Sequence, residues 1–489
     1  MAVPVDVGSS SEDGWHAARL IPVSGLKGQK DQERRATSVL LAVMGAVPEF
    51  GYSLLCPLGA PKGRIRTFTE VQFRDVDAKL STPDGAVVVE GGKKKWRALV
   101  EVKTGGAELG SEQVGRYLEM ARDHGFDCLL TISNQITASI DESPVVVDRR
   151  KLRSVRMYHL SWWRIVTEAV LQHRFRGISD PDQAWILGEL IAYLDHEHAG
   201  AGGFQDMGER WVNVRERARQ GTLRSTDSEV RVIAERWEHF LEYIALGLSQ
   251  DLGRDVAVAR GRKQKTSERV DGLVQLLVAN GELSGALRVP DTIAAVDLHA
   301  DLRARQVVTS ATFNAPPETR PLTRVNWLLR QLKDAPPDLR INATFASTRE
   351  PTSSLLGDAR EQPRRLLHPA DPRRDPKTFT VALSRPMGMK RGKGHGSFVR
   401  ETRRHVLDFY ALVMQDLEAW QPRPPQLRNP DVEVPLSAQP DPPPFAAVDE
   451  RDIGEGLDVS DPRVRDAFAQ EPSSSAPPEV TDDDFTDYK

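Results

Sequence analysis

Asp84, Glu101 and Lys103 are the residues whose types and spacing best suit chemistry. Asp84 follows the turn-forming Thr82-Pro83, and Glu101 and Lys103 lie further along in an otherwise apolar run. Because side chains alternate across a β-strand, Glu101 and Lys103 should share one face. A carboxylate and an ammonium inside an apolar strand are costly to desolvate unless they are paired or serve a metal. The pattern therefore predicts a functional site.

The two carboxylates indicate a divalent cation. We expect Asp84, just before the adjacent strand, to approach Glu101, and a hard cation between them would relieve their repulsion. Carboxylate oxygens suit Mg²⁺ or Mn²⁺. Such a cation would activate a water, polarise a phosphoryl oxygen and position the scissile phosphate. Lys103 would hold or help deprotonate that water and offset the charge that develops on phosphorus. The expected reaction is phosphodiester hydrolysis without a covalent enzyme intermediate.

The elements that must position these residues follow a simple order. Apolar residues at helical spacing predict a first helix, and alternating or continuous apolar runs predict strands. The predicted elements are a short strand at 19–23, a helix from about 31 to 47, strands at 66–73, 86–89 and 98–103, a helix at 111–123 and a strand at 128–133.

Pro83-Asp84, a gap and then Glu101-x-Lys103, set in the order helix, three strands, helix, strand, resemble the PD-(D/E)XK nuclease superfamily. The resemblance covers about 105 of the 489 residues. It implies a restriction-endonuclease-like core, Mg²⁺ dependence and cleavage of nucleic acid. By the same matching, Asp84 and Glu101 would be metal ligands and Lys103 the catalytic lysine.

Three further residues enter through this resemblance. Gln113 and Tyr117 are similar to the Gln-x-x-x-Tyr element of the RecB-like branch, which implies that they lie near the site and shape DNA or water contacts. Glu33 lies in the first helix, where many members supply another acidic residue. It suits the negatively charged first turn of a helix equally well, so both interpretations stay open. The first 200 residues also resemble a family of actinobacterial proteins, a likeness that implies no activity.

Other residues favour ordinary structural roles. Glu-x-Lys is a common tripeptide, so a solvated strand edge is the alternative for the core motif, and Glu70 suits an exposed strand position. His196 and His198 follow a helix end, where solvated histidines are more common than metal ligands. Cys128 lies in an apolar run and is expected to be a buried, inert thiol. No Walker phosphate loop occurs.

The charge is distributed unevenly. The formal net charge is −4, but residues 431–489 carry 16 acidic and 4 basic side chains, which leaves +8 on residues 1–430. A basic body suits a polyanionic partner. The runs 260–265 and 390–396 are open to two interpretations, a phosphate contact or a solvated loop. Lys93, Lys94 and Lys95 are the favoured nucleic-acid contacts, because we expect their hairpin to lie beside the site.

The rest of the chain predicts an α/β protein with several parts. The expected domains are a nuclease-like domain at 1–150, a helical domain at 151–284, an α+β domain with basic loops at 285–420 and a Pro-rich, acidic, disordered tail at 421–489. Expected within them are a helical stretch from about 158 to 282 with its longest helix at 228–250, strands at 286–289, 293–298 and 307–313, and helices at 324–330 and 401–420. Residues 350–404 show little apolar pattern.

These features favour a cytoplasmic, Mg²⁺-dependent nuclease that acts on DNA, in defence against phage or in DNA repair. No apolar run is long enough for a membrane span, and the N-terminus lacks the pattern of a secretion signal. One alternative is a nucleic-acid-binding or protein-interaction module that has the fold without cleavage. Another is a scaffold whose acidic tail mimics DNA or recruits a basic partner. A protein partner for the C-terminal region and a homo-oligomer stay open.

Overall fold

The computed structural model describes residues 20–21, 28–74, 80–148, 150–261, 264–317 and 320–421. The helices are α1 (Gln29–Ala46), α2 (Pro48–Leu55), α3 (Ser111–Asp123), α4 (Trp162–Leu171), α5 (Pro181–Leu194), α6 (Trp211–Gln220), α7 (Ser228–Leu252), α8 (Thr266–Asn280), α9 (Pro321–Gln331), α10 (Leu356–Glu361) and α11 (Phe398–Phe409). Short 3-10 or π turns lie at Cys56–Leu58, Lys151–Arg153, Gln172–Arg176, Glu197–Ala199, Pro363–Leu366 and Tyr410–Met414.

Within the described ranges, the strands form two large sheets and one small pairing. They are β1 (Arg64–Thr69), β2 (Phe73–Arg74), β3 (Leu80–Ser81), β4 (Gly85–Gly91), β5 (Lys94–Val102), β6 (Cys128–Ser133), β7 (Arg156–Ser161), β8 (Ala257–Val258), β9 (Glu282–Arg288), β10 (Val296–Asp301), β11 (Gln306–Asn314), β12 (Arg340–Phe345), β13 (Thr352–Leu355) and β14 (Pro376–Pro386). The protein is therefore a mixed α/β protein.

The first sheet has the order β1-β4-β5-β6-β7. Strands β1, β4 and β5 are antiparallel, whereas β6 and β7 run parallel to β5. Every residue of β6 is buried, as expected for a strand covered on both faces. One face packs against α1, α2, α4 and α5, and the other packs against α3. Because β5 and β6 are parallel, their carboxyl ends share one edge, the usual place for a site.

The second sheet is antiparallel, with the order β13-β12-β14-β11-β10-β9-β8. Alternating burial along β11 indicates one face on the core and one toward solvent. The core on this sheet includes residues of α7, α8, α9 and α11. The predicted domain boundaries remain predictions.

Several predicted elements are confirmed. The helix expected at 31–47 is α1, in which Leu40, Val43 and Met44 are buried at helical spacing. The predicted bounds of α3 and β6 match those observed, and the longest predicted helix is α7. Strands β4, β5, β9 and β11 and helix α9 occur within a few residues of their predicted places.

Other predictions were wrong in part. The strand predicted at 66–73 ends at Thr69, because Glu70 has a left-handed φ of 51° that a continuing strand excludes. Residues 156–161, expected in the helical stretch, form β7, and the strand predicted at 293–298 begins at Val296. Helix α11 starts earlier than predicted and gives way to the π turn Tyr410–Met414.

Two predictions fall on residues outside those described. The strand expected at 19–23 lies there except for Leu20 and Ile21, which form a bend. The tail predicted as disordered lies there from residue 422 onward. Among the described residues, no single helix is long and apolar enough to cross a membrane, and one pair passes the same test only with a bend of 108° between Gln29–Ala46 and Pro48–Leu58.

Candidate active site

Glu101 is the buried centre of the site. It is the penultimate residue of β5 and is only 1% exposed. Its Oε1 accepts hydrogen bonds from Nζ of Lys103 at 2.6 Å and from Nε2 of Gln113 at 2.7 Å. Burial and the nearby negative charge of Asp84 raise the pKa of Glu101 to about 8, although the Lys103 ammonium opposes that shift. A carboxyl group with this pKa is poised to lose its proton when a cation binds.

Asp84 meets Glu101 across neighbouring strands, as the sequence predicted. Gly85 pairs with Val100 in the β4–β5 ladder, so Asp84 lies at the level of the carboxyl end of β5. Its Oδ2 accepts a hydrogen bond from the backbone N–H of Val102 at 2.8 Å. This bond fixes the carboxylate beside Glu101, where its charge helps to raise the pKa of that residue.

Lys103 follows β5 directly and turns toward the same face as Glu101. Its Nζ donates to Oε1 of Glu101, to Oε1 of Glu33 at 3.2 Å and to the Val102 carbonyl at 3.0 Å. Burial alone would lower the pKa of Lys103, but Glu101 and the other nearby carboxylates outweigh it, so the pKa is raised. The side chain therefore carries a positive charge at neutral pH.

Glu33 belongs to this site and not to the first turn of α1. The helix begins at Gln29, and Asp31 is the acidic residue of its first turn. Glu33 lies beyond that turn and pairs with Lys103. Burial raises the pKa of Glu33, with Lys103 opposing the shift and Asp84 adding to it. Of the two interpretations of Glu33 from the sequence, the contact with Lys103 is the one observed.

Gln113 and Tyr117 connect α3 to the carboxylates. Besides its bond to Glu101, Nε2 of Gln113 donates to the Tyr117 hydroxyl at 3.4 Å, which in turn donates to the Thr82 carbonyl at 3.5 Å. The two residues are one helical turn apart and so face the same way. Both lie near the site, as the resemblance implied.

The oxygen donors at the site suit a small, hard cation. They are the carboxylates of Asp84 and Glu101 and the carbonyl of Val102. Lys103 donates hydrogen bonds to the last two of these groups. Within the described part of the chain, no three or more His, Cys, Asp or Glu side chains form a group that could hold a metal ion. Mg²⁺ commonly keeps several waters and uses only one or two carboxylates. The residues present therefore fit Mg²⁺ or Mn²⁺ bound in part through water.

A groove of about 500 Å³ opens beside Asp84. Helix α1 contributes Lys30, Glu33 and Arg34 to its wall. Arg34 also pairs with the exposed Glu70 at 3.0 Å. Lys30 and Arg34 were not predicted as site residues, although Glu33 and Arg34 follow Lys30 by three and four residues, a spacing that places them on the same helical face as Lys30. Because Glu33, Glu70 and Asp84 line the same groove, Lys30 and Arg34 would favour an anionic substrate once a bound cation offsets these carboxylates.

The lysine turn is not beside the site, and the prediction of its position was wrong. Lys94 pairs with Gly91 next to the turn, whereas Asp84 and Glu101 lie at the opposite end of the same hairpin. The seven residues of β4 span roughly 20 Å. Lys93, Lys94 and Lys95 are exposed, and Lys95 pairs with Glu90 at 3.4 Å. Their contact with nucleic acid remains a prediction, but it is no longer supported by closeness of the lysines to Asp84 and Glu101.

A second layer of contacts fixes the backbone after β5. The Lys103 carbonyl accepts from Nε1 of Trp162 at 2.8 Å. The Asn134 amide donates to the carbonyls of Gly105 and Gly200, both at 2.8 Å, and accepts from the N–H of Gly202 at 2.7 Å. These positioning residues escaped the sequence analysis, because no local pattern connects segments so far apart in the chain.

The remaining candidates have structural roles or stay open. His196 and His198 are exposed and stacked, with ring centroids 5.0 Å apart, as expected for solvated histidines. Cys128 is buried, which raises the pKa of its thiol far above the usual range. In the basic run 260–265, Arg260 pairs with Glu242 at 3.0 Å and is thus already engaged within the protein.

Comparison with known proteins leaves the site to be interpreted from its own geometry. No family model, no curated protein and no solved structure matches this chain.

Proposed function

We propose that this protein is a Mg²⁺- or Mn²⁺-dependent nuclease that hydrolyses phosphodiester bonds in DNA at the site of Asp84, Glu101 and Lys103. The observation that carries the proposal is the buried Glu101 carboxyl, held between Lys103 and Gln113 at the edge where β5 and β6 end. A strongly perturbed carboxyl group in such a position is typical of a functional site.

The charge balance of the site favours a cation. Three carboxyl groups, those of Glu33, Asp84 and Glu101, act on the Lys103 ammonium, so their fully ionised forms would carry an excess of negative charge over it. Burial raises the pKa values of Glu33 and Glu101, the negative charge of Asp84 adds to the shift, and Lys103 opposes it. A divalent cation would offset the excess and, when bound, would supply Lewis-acid activation of a water and of the phosphate.

The protein's own residues suit defined roles in hydrolysis. The charged Lys103 is placed to donate a hydrogen bond to a phosphoryl oxygen and to stabilise the charge that develops there. Its raised pKa favours this role over that of a general base. Gln113 orients Glu101, and Glu33 keeps Lys103 charged and in place.

The order of elements supports the same proposal. Helix α1 precedes the antiparallel β1, β4 and β5, and α3 then connects β5 to the parallel β6. Apart from the additional α2, β2 and β3, this order agrees with the one expected for a restriction-endonuclease-like core and supports that part of the proposal. Together with the motif residues, it favours nucleic acid over other phosphodiesters as the substrate.

The cations beside the site favour a polymeric substrate. Lys30 and Arg34 line the groove that leads to Asp84, where they would contact phosphates flanking the scissile bond. The preference for DNA, a role in phage defence or DNA repair, and cytoplasmic residence belong to the proposal through the motif resemblance and the composition.

A cleavage assay tests the proposal. Purified protein is incubated with plasmid, linear and single-stranded DNA in Mg²⁺, Mn²⁺ or EDTA. We expect cleavage that requires the metal and that falls on the order of 10² to 10³-fold in Lys103→Ala, because a charge contact to the transition state is lost. The matched control is Lys151→Ala, which removes a lysine whose ion pair is with Glu119 on α3 and not with Glu33, Asp84 or Glu101, and which should cleave as the wild type does.

The alternative from the sequence is an outcome of the same assay. Absence of metal-dependent cleavage on every substrate, or equal cleavage by Lys103→Ala and the wild type, would favour a binding module that has this fold without catalysis.

A further inference from the structure

A second concave surface, here named the basic pocket, lies between α7 and α11. It has a volume of about 420 Å³ and is lined by the cations Lys393, Arg400, Arg403 and Arg404, with Tyr243 and Asp251. Lys393 belongs to the basic run 390–396, and the three arginines belong to α11. From the sequence, the basic run could be either a phosphate contact or a solvated loop. The sequence did not indicate that arginines of α11 lie beside this run.

Two of the four cations form no ion pair with any described residue. Arg403 pairs with Asp251 at 3.2 Å, and Arg404 pairs with Asp408 at 3.7 Å. Within the part of the chain that the structure describes, neither Lys393 nor Arg400 forms an ion pair. The pocket therefore has an excess of positive charge, and a concave wall concentrates that potential.

Helix α11, which carries the three arginines, is capped at its start and packed against the core. Ser397 caps α11, since its hydroxyl accepts from the N–H of Arg400 at 3.3 Å. Phe398 is buried against Trp211, with ring centroids 4.7 Å apart. Burial lowers the pKa of Lys393, with Glu197 opposing the shift.

One segment connects the basic pocket to the active site. Glu197, whose charge acts on Lys393, begins the turn that ends at Ala199. The next residue, Gly200, accepts through its carbonyl from the N–H of Gly105 at 2.8 Å, two residues after Lys103. The basic pocket and the active site thus flank the same short segment of chain.

We propose that the basic pocket binds a backbone phosphate of the nucleic-acid strand whose scissile bond lies at Asp84, Glu101 and Lys103. This inference rests on the proposed function and extends it, because it assigns a path for the strand across the segment that begins at Glu197. Arg400, which is exposed and forms no ion pair with the residues that the structure describes, would contact the phosphate directly, and Lys393 would approach it from the loop. Phosphate contacts of this kind hold a strand in register without reading its sequence.

Binding measured without catalysis tests the inference. Fluorescence anisotropy of a labelled single-stranded oligonucleotide is recorded in EDTA over a range of salt concentrations. We expect Arg400→Ala to weaken binding on the order of tenfold and to reduce the slope of log K against log salt by about 0.7, the value for one phosphate on a single strand. Lys393→Ala should act in the same direction.

The matched control is Lys377→Ala, which removes one exposed positive charge at the start of β14 and should change neither quantity. Equal binding and equal salt slopes for Arg400→Ala, Lys393→Ala and the control, with circular dichroism unchanged, would overturn the inference. Binding of a free nucleoside triphosphate that depends on Arg400, without oligonucleotide binding that depends on it, would overturn the assignment to a strand. Because binding is measured in EDTA, it does not depend on catalysis. A protein that fails to cleave can therefore be distinguished from one whose basic pocket fails to bind the strand.

Discussion

Replacing Glu101 by glutamine should stabilise the metal-free protein while abolishing its activity. In the metal-free fold, burial and Asp84 raise the pKa of Glu101 to about 8 from an ordinary value of 4.5. Between these values the folded state retains a proton that the unfolded state releases, so stability is greatest below pH 4.5 and is lost as the pH rises toward 8. At one pKa unit per 1.36 kcal/mol, the loss reaches roughly 3 kcal/mol by pH 7.

A glutamine at position 101 has nearly the shape of the protonated acid and carries no charge at any pH. Its side-chain oxygen would still accept from Lys103 and Gln113, and its amide would face Asp84. We therefore expect Glu101→Gln to match the wild type near pH 4.5 and to exceed its free energy of unfolding by roughly 3 kcal/mol at pH 7 in EDTA. Metal-dependent cleavage should be lost in the same variant, because an amide is a poor ligand for Mg²⁺.

Urea unfolding followed by circular dichroism at several pH values measures this difference. Glu112→Gln is the matched control, since Glu112 is exposed on α3 and should leave the pH dependence unchanged. A Glu101→Gln protein that is less stable than the wild type at pH 7, or whose difference from it does not grow with pH, would refute the electrostatic account of the site.

Three further substitutions probe separate parts of the structure. Gln113→Ala removes a hydrogen bond that stabilises the charged form of Glu101, so the rising limb of the pH–cleavage profile should move to higher pH, and an unchanged profile would contradict this role. Asn134→Ala removes three hydrogen bonds that connect the backbone after β5 at Gly105 to the segment of Gly200 and Gly202. We expect a loss of about 2 kcal/mol in stability by thermal unfolding, together with weaker cleavage. Arg269→Ala leaves the buried Glu238 unpaired and should destabilise the protein by about 3 kcal/mol while cleavage by the folded fraction stays normal; lost cleavage in that fraction would argue against this separation of roles.

The parts of the fold that sequence predicts well are those with a strong local pattern. Helix α1 and helix α7 show apolar residues at helical spacing over several turns, and β6 is a short, continuous apolar run. Such elements are specified by neighbouring residues, so the chain reveals them without knowledge of their partners.

The strands that sequence missed depend on distant partners. Strand β14 begins and ends with proline and contains threonine and serine, so it resembles a loop, yet it pairs with both β11 and β12 inside the second sheet. Strand β7 ends directly at α4, so the change from the two-residue repeat of a strand to the 3.6-residue repeat of a helix is not visible in the sequence. Pairing across tens of residues supplies the stability that local preference does not indicate.

For the active site, the residues were easier to predict than their surroundings. Alternation along β5 placed Glu101 and Lys103 on one face, and the neighbouring strand brought Asp84 to them. The position of the lysine turn could have been deduced as well, since the two ends of a hairpin are far apart. The contact between Glu33 and Lys103 could not have been deduced from the sequence, because it depends on how α1 packs across the sheet.

Diffraction from a crystal grown with Mn²⁺ tests the central claim most directly, since manganese gives an anomalous signal. We expect an anomalous peak between the carboxylates of Asp84 and Glu101, beside the Val102 carbonyl, and its loss in Glu101→Gln. Saturating Mn²⁺ with no peak at these oxygens, or with peaks only elsewhere on the protein, would contradict the proposal that this site is the metal centre of a nuclease.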